Sequence, residues 1–305
     1  MQASNPSAAP MTRLDYSLYG LVVLIWGSTW IALRLQLGEV APEVSVLWRF
    51  CAALMFMVPL VLIRKERLVF PLAMHLRFAL LGSFLFSSNF IFFYYAGLTT
   101  PTGLLAVVFS LASIINLLLG AILARRRPSA RLAIGGLIGA IGSGLMFAPQ
   151  IIGQPFGYTA IQGLIYCLLG TLSFCAGNSV AASVQRSGVS VFSSAVWGMV
   201  YGVIGMAIFV AVKGGSFTIE WTLSYWSALI FLALFGSVIA FSSYLTLLGR
   251  IGAARASYST VLYPVIALVL STLLEGYQWT LPAVLGLGFV LLGNIVVLRN
   301  PTQKQ

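Results

Sequence analysis

The strongest constraint in this sequence is the length of its uncharged apolar runs. A helix needs about 20 apolar residues in a row to cross a hydrocarbon layer roughly 30 Å thick. The chain breaks at its few charges, prolines and glycines into runs of that kind, at 16–36, 42–63, 75–97, 103–124, 131–149, 159–185, 189–212, 222–248, 254–274 and 279–298. Membrane β-strands would read instead as alternating segments about ten residues long. The pattern therefore predicts an all-α membrane protein with ten transmembrane helices. The 305 residues are 60% hydrophobic and only 8% charged, against roughly a quarter charged in a soluble domain. Too few charges remain to coat a soluble fold, and the short connections leave no room for a soluble domain. Residues 1–15 are polar and precede a full-length apolar run, which reads as a cytoplasmic tail and not as a cleaved signal.

The net charge of +11 would suit a nucleic-acid binder, but its distribution gives another reason. With the N-terminus inside, even-numbered helices end at the cytoplasm. Of the 17 Lys and Arg residues, only Arg34 and Lys213 then fall outside, and Arg49 lies within a span. All the others fall inside, Arg64, Lys65, Arg67, Arg77, Arg125, Arg126, Arg127 and Arg131 among them. That is the positive-inside bias of a multi-pass protein with both termini cytoplasmic. It requires no anionic partner beyond lipid headgroups. Cys51, Cys167 and Cys175 all lie in spans, with no CxxC pair or Cys/His cluster, and read as small apolar residues. Neither a metal nor a cofactor is expected.

The two halves resemble each other at an offset of about 151. Gly97-Leu98-Thr99-Thr100-Pro101-Thr102-Gly103 leads into helix 4 as Leu248-Gly249-Arg250-Ile251-Gly252 leads into helix 9, and Gly135 and Gly142 match Gly286 and Gly293. Five helices per half is an odd number, so the second copy enters from the opposite side. Inverted repeats of this kind are a transporter architecture. The division is a first repeat over 16–149, an external linker over 150–158 rich in Pro, Gly and Gln, a second repeat over 159–298 and a cytoplasmic tail over 299–305.

Trp26-Gly27-Ser28-Thr29-Trp30 in helix 1, Trp48-Arg49-Phe50 in helix 2, Ala96-Gly97-Leu98 at the exit of helix 3, and Tyr263-Pro264 with Leu274-Glu275-Gly276 in the second half carry a family resemblance. In order and spacing they resemble the drug/metabolite transporter superfamily, in particular its bacterial ten-helix EamA-type members, over 16–298. The resemblance implies a carrier with a central cavity in the bacterial cytoplasmic membrane, and within the superfamily the chain resembles the branch of aromatic amino-acid exporters. The chain departs from the family at Ser113 and Ala124, where a proline and an acidic residue are usual. Only the second half keeps both, as Pro264 and Glu275.

Candidate cavity residues follow from polarity and helical spacing. Arg49 is the one charge deep within a span, about 10 Å below the outer surface by helical rise. It reads either as a snorkelling arginine or as an outer-gate, carboxylate-steering residue, with Glu39 and Glu43 above it placed to pair. No acidic residue sits at mid-membrane, which favours diffusion down the substrate gradient over proton coupling. Tyr16, Trp48, Trp221, Trp226, Tyr277 and Trp279 suit an interfacial belt. Trp26 and Trp30 are mid-span and four apart, on one helix face, and suit cavity lining as well as packing.

Phe86, Phe90 and Phe93 step along helix 3 and map onto Ser237, Phe241 and Tyr244 of helix 8, with Asn89 and Tyr94 flanking the first set. Ser113 and Asn116 lie on a stripe of helix 4, Tyr258 and Tyr263 at helix 9, and Ser173 and Asn178 in helix 6. Packing and interhelical hydrogen bonding explain these positions as well as a wet path does. Gly97 is a candidate hinge and Pro264 a candidate pivot.

The expectation is a secondary transporter that exports amino acids, chiefly aromatic and apolar ones, or lets them exchange by alternating access. Export of aromatic cations is the alternative. An enzyme acting on isoprenyl diphosphates is disfavoured, because the spans hold no carboxylate pair for Mg²⁺. The partners expected are a small-molecule substrate and the bilayer, with no nucleic acid and a monomer preferred.

Overall fold

The computed structural model describes residues 11–123, 125, 127, 129–152, 157–251 and 259–298. Among the described residues the regular structure is entirely helical. Eight helices are long and apolar enough to cross a membrane, and two shorter apolar ones follow at Val261–Leu274 and Leu281–Val297. They are α1 (Arg13–Arg34), α2 (Pro42–Ile63), α3 (Leu72–Ser83, continued by Asn89–Gly97), α4 (Thr102–Ser110, continued by Ala112–Leu123) and α5 (Ala130–Ile152). The second half holds α6 (Gly157–Arg186), α7 (Val191–Val212), α8 (Leu223–Ile230, continued by Ala240–Ile251), α9 (Ser259–Leu274) and α10 (Leu281–Leu298).

Local chemistry sets the helix ends. Thr12 and Asp15 form a reciprocal capping box at the start of α1, and the Ser190 and Thr222 side chains cap α7 and α8. Each cap satisfies a backbone N–H that has no partner inside its helix. Pro42 opens α2, where a missing N–H costs nothing. Gly214 and Gly276 close α7 and α9 with φ of 71° and 67°, a conformation that a side chain would strain. The outward faces stay apolar, as lipid requires: Ile63, Val212 and Leu273 are 73–83% exposed.

Both α3 and α8 are interrupted by π-helical turns, Phe84–Ser88 and Phe231–Ile239. Shifted by 151, residues 84–88 become 235–239, so the wide turns coincide in the two halves. In such a turn the backbone bonds skip to i+5, and hydroxyls help to fill the mismatch. Ser87 and Ser88 Oγ donate to the carbonyls of Gly82 and Ser83, and Ser237 Oγ donates to that of Leu232, each five residues back. Sequence periodicity carried no sign of these wide turns, which fall in two of the helices, 3 and 8, expected to give way during transport.

Glycines bring α5 and α10 into backbone contact. A Cβ on Gly142 would lie 2.6 Å from Gly286 O, and one on Gly293 would lie 2.6 Å from Gly135 O and 2.9 Å from Gly139 N. The pairs run in opposite order along the two helices, so these helices are antiparallel. Small residues at such an interface let backbones pack where no hydrophobic effect drives association.

Candidate functional site

Helices α1, α2, α3, α4, α6, α8 and α9 bring the candidate residues together in three connected groups. Trp26 forms the first. Its Nε1–H donates to Gly236 O at 3.0 Å, in the wide turn of α8. Its ring lies 5.2 Å from Tyr244 and 5.7 Å from Tyr263, whose hydroxyl meets Ser259 Oγ at 2.8 Å. The second group is Trp30, Phe93, Phe109 and Phe174, with centroids 4.8–5.6 Å apart. The third is Phe50 with Phe86 at 5.5 Å and Phe90 at 5.0 Å.

Arg49 stands above the third group. Its guanidinium carbon is 4.3 Å from the Phe90 centroid, a cation–π distance, and the Tyr94 side chain lies beside it. A Cβ on Gly236 would approach Arg49 Nη2 at 3.8 Å and Thr29 Cγ2 at 3.0 Å. The charge therefore sits at the junction of α1, α2, α3 and α8, next to the carbonyl that holds Trp26. It is 5% exposed, so it does not snorkel toward lipid. Nor does it pair with Glu39 or Glu43. Among the described residues no ion pair reaches Arg49, and Glu43 instead takes Lys213 Nζ at 2.6 Å and the Tyr95 hydroxyl at 2.8 Å. Glu43 and Tyr95 hold the Lys213 ammonium above the usual lysine range.

The aromatic row of α3 does not act as one face. Phe86 and Phe90 meet Phe50 of α2, whereas Phe93 meets Trp30 and Phe109. Its counterpart on α8 divides as well. Phe241 and Phe86 line a small cavity of about 20 Å³ with Gln185 and Ser194. Tyr244 turns to Trp26, and Ser237 bonds within its own helix.

Several polar candidates have helical partners. Asn89 Nδ2 donates to Leu85 O at 2.9 Å. Ser173 Oγ donates to Phe84 O at 3.0 Å and lies 2.5 Å from Ser88 Oγ, which ties α6 to the wide turn of α3. Ser113 Oγ donates to Asn294 Oδ1 at 2.5 Å, so it faces α10 across the α5–α10 side. Asn116 and Asn178 are half-buried. Tyr258 lies outside the described residues. Gly97 O accepts Arg34 Nη1 at 2.7 Å, which makes it part of the ion cluster of Arg34 and Glu275, and Pro264 is buried inside α9.

Sequence reasoning missed Gln36, Phe174 and Asn294, and it had Phe50 only as part of a motif and Phe109 only as part of the helix 4 stripe. Gln36 stands at the polar end of α1 but is fully enclosed, and its Oε1 accepts the Tyr94 hydroxyl at 2.5 Å. An amide at a span end is expected in water, and nothing in its neighbours signalled otherwise.

Ion clusters stand at both ends. At one end Glu275 Oε2 accepts Thr102 N at 2.9 Å and Thr102 Oγ1 at 2.8 Å, and its Oε1 lies 3.9 Å from Arg34 Nε. At the opposite end Asp15 meets Arg250 Nε at 2.5 Å. A cleft of about 280 Å³ opens at this second end between the α2–α3 and α6–α7 connections, lined in part by Glu66, Arg67, Met74 and Ser193. Glu275 works as an N-cap supplied from another helix. Glu275→Ala is expected to cost about 0.5–2 kcal/mol through the lost cap, read as a lower melting temperature in detergent. Lys213→Ala, which leaves the buried Glu43 carboxylate with only the Tyr95 hydroxyl, should cost about 1–3 kcal/mol.

The family model of the EamA-like transporters matches residues 16–148 and again 161–299. The chain belongs to the EamA-like transporter family. It is accordingly a membrane transporter and not an enzyme. Among its EamA-like relatives, the inner membrane transporter YedA of Escherichia coli K12 is 30% identical over 94% of this chain and 90% of that protein. PagO of Salmonella typhimurium is 24% identical over 85% and 84%. A second Escherichia coli K12 protein, named "Probable amino-acid metabolite efflux pump", is 24% identical over 95% and 94%. A solved crystal structure superposes with a TM-score of 0.65 at 16% identity, covering 93% of this chain and 96% of that one. At that identity the likeness concerns the fold alone.

Proposed function

We propose that this chain is a bacterial inner-membrane carrier that exports amino acids, chiefly aromatic and apolar ones, by alternating access and without a coupled ion. The observation that carries the reading is the set of aromatic groups that separate helices form in the interior, Trp26 with Tyr244 and Tyr263, Trp30 with Phe93, and Phe90 with Phe50, the last of them under the buried cation of Arg49. Rings of this kind suit an apolar side chain, and the polar groups between them suit the amino and carboxyl ends. Phe86, Asn89, Tyr94, Ser113, Asn116, Ser173, Asn178, Ser237, Phe241 and Tyr258 complete the proposed lining. Arg49, Gly97 and Pro264 serve the gate and hinges. The relatives named as an inner membrane transporter and as an amino-acid metabolite efflux pump support the location and the substrate class.

The reading includes ten spans, two inverted five-helix repeats and cytoplasmic termini. The two separate family matches support it. So does the α5–α10 contact: Gly135 meets Gly293 and Gly142 meets Gly286, while the repeat offset relates Gly135 to Gly286 and Gly142 to Gly293. A two-fold axis pairs positions in that crossed way. One chain supplies the whole lining, so a monomer suffices. Export of aromatic cations is the weaker alternative, because Arg49 puts a positive charge beside the rings.

The test is efflux from sealed proteoliposomes preloaded with a mixture of amino acids, with and without a pH gradient. Phe, Trp and Met should leave faster than from empty vesicles, at a rate indifferent to that gradient. Efflux no faster than from empty vesicles, with protein verified as folded, overturns the amino-acid reading.

A further inference from the structure

Around Arg49 the polar groups without partners are donors. Arg49 Nε and Gln36 Nε2 are both buried and both lack a hydrogen-bond partner. The nearby acceptors are already engaged. Gln36 Oε1 takes the Tyr94 hydroxyl, Gln36 O takes Ser45 Oγ at 3.3 Å, Gly236 O takes Trp26 Nε1, and Glu43 takes Lys213 and Tyr95. A guanidinium carries five N–H donors and an amide nitrogen two. A buried charge with no counter-ion is a strongly unfavourable arrangement unless an anion completes it.

We propose that Arg49, Gln36 and Tyr94 form an anion site that receives the carboxylate of the transported molecule. Arg49 offers the flat two-pronged donor that matches a carboxylate. Tyr94 is a positioning residue: by donating to Gln36 Oε1 it fixes the amide and leaves the Gln36 Nε2 donors free for a ligand. The Phe90 and Phe50 rings beneath the guanidinium receive the apolar remainder of the ligand. The proposal rests on the carrier reading above and adds to it the sign of the group recognised. Molecules carrying only a positive charge are excluded from this position.

The test uses the full chain in detergent with three ring-bearing probes: phenylacetate, phenylacetamide and phenethylamine. Binding is read by melting temperature and by tryptophan fluorescence. Phenylacetate should bind about ten-fold or more tightly than the amide, the advantage of a charge-assisted bond, and phenethylamine should bind no better than the amide. Arg49→Gln should abolish the preference, Arg49→Lys should keep part of it, and Tyr94→Phe should reduce it without unfolding the protein. Equal binding of phenylacetate and phenylacetamide to the unaltered chain overturns the proposal, as does a preference that survives Arg49→Gln. Should Arg49→Gln fail to fold, the comparison of probes on the unaltered chain decides. Chloride protecting as well as phenylacetate, at constant ionic strength, replaces the carboxylate site with a simple halide site and overturns it too. Carboxylate binding without amino-acid efflux removes the amino-acid reading and leaves the anion site standing. Efflux with no carboxylate preference does the reverse.

Discussion

Gly142→Leu is expected to leave little folded protein in the membrane, while Gly144→Leu, two residues along the same helix, should be silent. A Cβ on Gly142 would sit 2.6 Å from Gly286 O and 2.7 Å from Val290 N, whereas one on Gly144 meets nothing within 4 Å. Both obstacles at Gly142 are backbone, so no rotamer change relieves them, and α5 and α10 must separate. Overpacking a core costs about 1–3 kcal/mol when side chains can yield; a backbone clash should exceed that range. The loss extends beyond one contact, because α4 and α6 also pack on this helix pair. The comparison is the yield of monodisperse protein after extraction. Equal yields for the two variants would show that this glycine contact does not hold the helices together.

Arg49→Met should make the protein more stable and inactive at once. Methionine fills a similar volume with a flexible apolar chain and removes a charge that no carboxylate in the described residues neutralises. Replacing buried ionic groups by apolar ones of similar size is often neutral or stabilising by about 1–4 kcal/mol. The gain is offset in part by the lost cation–π contact with Phe90, worth about 2 kcal/mol when desolvated. A net rise in melting temperature is expected, together with loss of efflux. A residue kept at a cost in stability serves function. If Arg49→Met melts lower and is still active, Arg49 is a structural residue.

The spans were legible because bilayer thickness sets a minimum apolar length, and α1, α2, α6 and α7 begin and end within a few residues of expectation. That α5 packs closely through glycine was legible because Gly135 and Gly139 lie four apart, but the sequence did not name α10 as the partner. The interior was less so. A spacing of three and four says that Phe86, Phe90 and Phe93 share a face of a regular helix, but the wide turn at Phe84–Ser88 changes the phase under Phe86. Ser113 carried a correct hint of polarity without the identity of its partner, since Asn294 lies in the other half of the chain. The Glu43 pairing went to Lys213 for the same reason. Helical period gives the face of a residue relative to its own axis, not the rotation of that axis among its neighbours.

The wide turns of α3 and α8 each hold one residue more than an α-helical turn can. Drawing that residue back into regular helix would rotate everything beyond it by about 100°, the angle of one residue at 3.6 per turn. Phe90 and Phe93 would exchange neighbours on α3, and Phe241 and Tyr244 would do so on α8. The helices need not bend or break for this. The rotation would fall at matching places in the two halves, because the wide turns overlap under the 151-residue offset.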